Sequence, residues 1–282
     1  MFDAIAAEAL KFTRHRATWG LVWIWPIGLV LIWLLAIVLG GANSAPGAGE
    51  PTPAAWIADS VSFWNVPAQP FGRYLLGAFV AVVFAGEYGW NTWKLIVPHR
   101  ARNTLIAAKY VVALGLLAIG FTLAALLFSL CGWIEDMVSG DPIPAGIAMA
   151  ALAKAHGLAA LACVAPVLLT AAYVSFTAIL TRSTVAALVV GLVVTTMEEL
   201  FRSFAPVLEL YAPALVGALY QILPGYHLAN IASWLKEGTL AQVPFPSGLF
   251  SAPVGSSLAI AGGWIALFVA LTFWRFRRQD LN

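Results

Sequence analysis

Two stretches of the 282-residue sequence combine residue types at spacings suited to chemistry. The first is Glu198-Glu199-Leu200-Phe201-Arg202. Paired carboxylates beside an arginine, at the end of an apolar run, suit either an intramembrane hydrolase or the polar wall of a substrate path, because ionisable groups near a membrane are costly to keep. On a helix Arg202 lies at i+4 from Glu198 and i+3 from Glu199, so an ion pair within one helix is the plain structural alternative. The second stretch is Glu87–Lys109, EYGWNTWKLIVPHRARNTLIAAK, which carries Lys94, Arg100, Arg102 and Lys109 between two long apolar runs. Asn91 or Thr92 can cap a short helix there. Trp93, Leu95, Ile96 and Val97 offer an apolar knob for a partner's groove, and Lys94, Arg100 and Arg102 can pair with acidic groups around it. Glu87 is placed to hold Arg100 or Arg102 and stiffen the loop. The alternative is that Trp90 and Trp93 belong to an interfacial aromatic belt and that the basic residues only set topology.

Other chemistries lack their residues. A phosphate-binding loop needs Gly-Lys-Ser/Thr. The five lysines follow Leu10, Trp93, Ala108, Ala153 and Leu235, so the chain carries no such ATP site. There is no HExxH among the four histidines His15, His99, His156 and His227, and no Gly-x-Ser-x-Gly elbow. No metal or other cofactor is expected on this chain. Cys131 and Cys163 lie in apolar runs, belong to no CxxC or Cys/His cluster, and read as core or lipid-facing thiols.

The elements that position these groups follow from composition. The chain is 61% hydrophobic and 10% charged, against about 25% charged in a soluble domain. Such a chain cannot cover a water-facing surface, which implies an all-α polytopic membrane protein. A net charge of +2 gives no reason to expect nucleic acid. Residues 2–17 alternate at helical spacing and predict an amphipathic interfacial helix, not a cleavable signal peptide. Six spans are expected, at about 18–39, 71–86, 104–130, 154–180, 184–199 and 256–274. Between them lie loops at 40–70 and 133–153, the loop 87–103, a tight turn at 181–183 and a Pro-broken segment 200–255. That segment is expected to hold short re-entrant-like helices near 207–223 and 227–236 that dip into the outer leaflet. Arg73, near the outer end of its span, is expected to snorkel. The whole chain reads as one transmembrane domain. Of its 15 lysines and arginines, 11 fall on one side, which the positive-inside bias makes cytoplasmic. Both termini then lie inside a multi-pass protein of the cytoplasmic (inner) membrane.

Two family resemblances bear on these stretches. Glu198-Glu199-x-x-Arg202 and His227-x-x-Asn230 are each one residue short of the patterns of intramembrane CAAX-type prenyl proteases. One residue is about 100° around a helix, so the groups would not converge as in that family. By contrast, Glu87-Tyr88-Gly89-Trp90-Asn91-Thr92-Trp93-Lys94-Leu95-Ile96, with Pro98, Arg100 and Lys109, resembles the first cytoplasmic loop of type-2 ABC exporter permeases. The amphipathic N-terminal helix, the long segment between spans 5 and 6 and the basic tail Arg275–Leu281 agree in layout. The resemblance implies a permease subunit that pairs with a second permease subunit, as a homodimer or a heterodimer. It further implies that loop 87–103 docks a separate ATPase subunit, which would hold ATP and Mg, and that the bundle exports a hydrophobic or amphipathic peptide, lipid or drug. Glu198, Glu199 and Arg202 would then border the substrate path. The competing readings are an intramembrane enzyme using Glu198 and Glu199, and an ion-coupled secondary carrier, for which no internal symmetry is visible.

Overall fold

The computed structural model describes residues 1–38, 52–89, 92–139 and 142–280. It is a helical bundle. Five helices among the described residues are long and apolar enough to cross a membrane: α5 (Pro70–Gly89), α7 (Arg102–Ser139), α8 (Met149–Thr181), α9 (Thr184–Glu209) and α12 (Val254–Arg277). The first expected span is divided into α2 (Arg16–Leu21) and α3 (Ile24–Val38). The division falls at Val22 and Trp23, ahead of Pro26. Gly120 of α7 receives it, since a Cβ there would stand 2.9 Å from the Val22 side chain.

The chain begins with α1 (Phe2–Thr13), which packs along α7. His15 then accepts a hydrogen bond from the Ala17 amide and caps α2. At the opposite end of the bundle lie α4 (Pro53–Ser60) and a 3-10 helix over Ser62–Ala68. The 3-10 helix presses onto α5 at Gly72, where a Cβ would meet the Val66 carbonyl at 1.9 Å, so only glycine fits. α5 is the central helix. Leu76, Phe79, Val80, Val83 and Phe84 are fully buried against α8, α9 and the N-terminal helices. Arg182 closes α8 in the left-handed region, at φ 57, and the Ser183 hydroxyl caps α9 through the Ala186 amide.

Two boundaries differ from expectation. The loop expected at 133–153 is shortened from both sides, because α7 continues to Ser139 and α8 begins at Met149. Polar residues such as Glu135 and Asp136 extend a helix beyond an apolar run as readily as they end one. The segment 200–255 is more ordered than short dipping helices alone. α9 runs through Pro206 to Glu209, followed by α10 (Pro213–Ile222) and α11 (Pro224–Glu237), with proline at the first turn of each. An antiparallel hairpin, β1 (Val243–Phe245) with β2 (Gly248–Phe250), was not expected at all. Tyr220 fastens it through edge-on contacts with Phe245 and Phe250 at 5.0 and 5.2 Å.

Candidate functional site

The residues singled out in the sequence gather at opposite ends of the bundle. The terminal end is the one that carries α1, the start of α7 and the end of α12.

At the terminal end, Glu87 and Lys109 are each 2% exposed. The Lys109 ammonium donates to Glu8 at 2.5 Å, to the Val83 carbonyl at 2.9 Å and to Glu87 at 3.3 Å. Lys11 adds a further ion pair to Glu87. Two carboxylates and two ammonium groups therefore balance, in a knot that joins α1, α5 and α7. A buried charge is tolerable only when paired in this way. Glu87 thus does not hold Arg100 or Arg102, because the knot already occupies it. Arg100 instead makes an exposed pair with Asp3 at 3.2 Å, and such pairs contribute about 0–1 kcal/mol. Arg102 donates to the carbonyls of Phe276, Arg277 and Gln279, at 3.1, 2.9 and 2.6 Å, so it neutralises the carbonyl end of α12.

The loop itself is a single helical turn, α6 (Trp93–Ile96), followed by a 3-10 turn over Val97–His99 that includes Pro98. Thr92 occupies the cap position of α6, yet its hydroxyl donates to Glu87 and its side chain does not cap the helix. Trp93 points inward and is 3% exposed. Its ring meets Phe276 at 4.6 Å and Tyr88 at 5.7 Å, and the Lys109 ammonium lies 5.3 Å from its centroid. Trp93 is therefore not part of an outward knob. Leu95, 70% exposed, faces out, together with exposed Lys94, Pro98, His99 and Arg100. Trp90, Asn91 and the Ile96 side chain lie outside the described residues.

At the far end, Arg73 does not snorkel. It is 5% exposed and forks onto Glu198, with Nη1–Oε1 2.7 Å and Nη2–Oε2 3.0 Å, while Nε donates to the Thr170 hydroxyl at 2.8 Å. α5, α8 and α9 meet there. Glu199 pairs with Arg202 within α9 at 2.5 Å, so the intrahelical alternative holds for Glu199, whereas Glu198 belongs to Arg73. Glu198 and Arg202 line both of two neighbouring cavities. One, of ≈ 470 Å³, is walled mainly by apolar and aromatic residues such as Leu169, Phe201, Tyr220 and Phe268. The other, of ≈ 290 Å³, also takes in Arg73, Glu199 and Lys236.

His227 does not join these carboxylates. Its Nε2–H donates to the Gln221 carbonyl at 2.9 Å, and Nδ1 accepts from the Ser257 hydroxyl at 2.9 Å. Asn230 donates to Ser257 and to the Ala252 carbonyl, and accepts from the Ala241 amide. The spacing His227-x-x-Asn230 thus ties the hairpin segment and the start of α12 onto α11. Burial lowers the His227 pKa below its ordinary value, which keeps the ring neutral in this role. Cys131 and Cys163 are both buried free thiols. Among the described residues no cluster of His, Cys, Asp and Glu suits a metal ion.

Sequence reasoning missed the partners in both clusters. Lys109 and Glu87 are 22 residues apart, Arg73 and Glu198 are 125 apart, and neither separation leaves a local periodicity. The available signal was the presence of Lys109 and Arg73 inside apolar helices, where an unpaired charge is untenable.

A family model described as ABC-2 family transporter protein matches residues 4–219. No curated protein sequence matches the chain. With its long apolar helices, the chain is a multi-pass membrane protein that belongs to the ABC-2 family of transporter proteins, as a permease component of an ABC transporter.

Proposed function

We propose that this permease is an exporter subunit driven by a separate ATPase that docks on residues 92–100. The observation that carries the reading is the two-sided build of the loop. Lys94, Leu95, Pro98, His99 and Arg100 are exposed, while Glu87, Trp93 and Arg102 root the same turn in α1, α7 and α12. A partner that pushes the outer face moves three helices together. No phosphate-binding loop occurs in the sequence, so ATP and Mg would be held by that partner.

In this reading residues 16–38 form the first of six spans, the chain is one domain, and the terminal end faces the cytoplasm from the inner membrane. The positive charge gathered there supports that orientation. α9 leaves Val185, Val189, Val193, Met197, Leu200 and Phe204 exposed, a face suited to lipid or to a second permease subunit. The paired cavities at Glu198 and Arg202 are apolar on one side and charged on the other, which suits an amphipathic substrate.

The test replaces Lys94 and Leu95 by glutamate and measures copurification with the cognate ATPase. Both residues are exposed, so the thermal midpoint of the permease alone is expected to stay within about 2 °C of wild type. Association is expected to fall at least about tenfold, the effect of reversing a charge and removing an apolar contact at an interface. Undiminished association would refute docking at this loop.

A further inference from the structure

A further cavity, of ≈ 1110 Å³ and larger than the two at Glu198, lies away from both clusters, between α3, α4 and the far half of α7. We propose that it binds a lipophilic organic cation, such as a quaternary ammonium, a phosphonium or a protonated amine on an apolar frame.

Two features of the wall support this. Its body is aromatic: Trp25, Trp33, Trp56 and Phe71 contribute, and ring faces attract cations. Trp25 is fixed by its indole N–H bond to the Leu21 carbonyl, at 3.1 Å, and by ring contacts with Phe71 and Phe121 at 6.4 and 5.3 Å. Its rim is acidic: Asp59, Glu135 and Asp136 line it, and no Lys, Arg or His does. Asp136 accepts from the Trp56 indole N–H at 2.8 Å, which joins the acidic rim to the aromatic body and holds α4 against α7.

The chain provides no countercharge from nearby sequence. Between Arg16 and Arg73, and again between Lys109 and Lys154, there is no Lys, Arg or His at all. The same stretches contain Glu50, Asp59, Glu135, Asp136 and Asp141. Arg73 itself is engaged by Glu198 on the other side of α5. The contrast with the far-end cavities is plain, because there Glu198 is paired with Arg73 and Glu199 with Arg202. A cavity with aromatic walls, three carboxylates and no Lys, Arg or His in its lining favours a bound molecule that is both apolar and positive; His156 lies behind the Ser129 wall, bonded to Ser129 and to the Trp64 indole. The volume, ≈ 1110 Å³, is slightly above the usual range of small-molecule pockets, about 300–1,000 Å³. This inference does not rest on ATPase docking and is tested without the ATPase.

The experiment titrates the purified full-length permease in lipid nanodiscs with tetraphenylphosphonium and, in parallel, with tetraphenylborate, which has nearly the same shape and the opposite charge. Tryptophan fluorescence reports occupancy. Saturable quenching by the phosphonium and none by the borate is expected. The Asp59→Asn/Glu135→Gln double variant is expected to bind the phosphonium about tenfold more weakly, with an unchanged thermal midpoint. Asp136 is left intact because of its structural bond to Trp56. Equal binding of both ions, only non-saturable partitioning, or unchanged affinity in the double variant would overturn the proposal and leave a solvated acidic rim.

Discussion

The two charge clusters solve the same problem with different cations. At the terminal end a lysine is a compact point charge with three donors, which it divides between two carboxylates and a backbone carbonyl. At the far end an arginine presents a planar fork, commits two nitrogens to one carboxylate and sends the third to Thr170. The lysine knot gathers α1, α5 and α7 with adaptable geometry. The arginine fork fixes the orientation of α9 against α5 and α8. The comparison teaches that the end expected to receive a mechanical input has the re-arrangeable connection, while the end bordering the two smaller cavities has the rigid one.

The largest effect that would break this contrast is at Lys109. Lys109→Met leaves Glu8 and Glu87 sharing one ammonium, and is expected to destabilise the permease by about 3–5 kcal/mol, read from unfolding in detergent. A loss below about 1 kcal/mol would show that Lys11 alone balances the knot. Next comes Arg73→Lys, which keeps the charge but loses the fork. The expected loss is about 1.5–3 kcal/mol. A double-mutant cycle with Glu198→Gln should return a coupling of at least about 1 kcal/mol, and a null coupling would remove the distinction between fork and point charge.

The smallest effect concerns the far end alone, through His227. Its folded pKa is depressed from 6.5 by burial. The stability it contributes is therefore fully present above pH 6.5 and is lost as pH falls through the lower folded value, because the unfolded chain takes up the proton first. Thermal midpoints measured from pH 7.5 down to 5.5 should decline in the wild type by a few degrees, and less steeply in His227→Gln. Equal slopes would mean that His227 does not hold the hairpin segment to α11.

The long helices were legible because about 20 consecutive apolar residues leave few alternatives. The polar ends of those helices were not legible, as α7 shows by carrying Glu135 and Asp136 within it. The hairpin at 243–250 was hidden by its three-residue strands and by Pro244 and Pro246, which argue against a strand in isolation. The loop at 87–103 was found from its charge, yet its inside and outside were exchanged at Trp93. Periodicity does not distinguish an aromatic ring that faces a partner from one that covers a buried lysine. Glu198, Glu199 and Arg202 were found together, but the arginine that matters to Glu198 lies in a different helix. Long-range ionic pairing is decided by the topology of the bundle, which no local pattern encodes.

The clamp of Arg102 on the last carbonyls of α12 has a mechanical consequence. α7 starts at that clamp and runs 38 residues without interruption, a rod of about 57 Å. Pivoted at its clamped base, such a rod turns a tilt of about 5° into a displacement of about 5 Å at its far tip. Glu135 and Asp136 sit at that tip, on the rim of the cation cavity. A push too small to disturb packing at the loop would therefore be magnified into a change in the width of a cleft on the other side of the membrane.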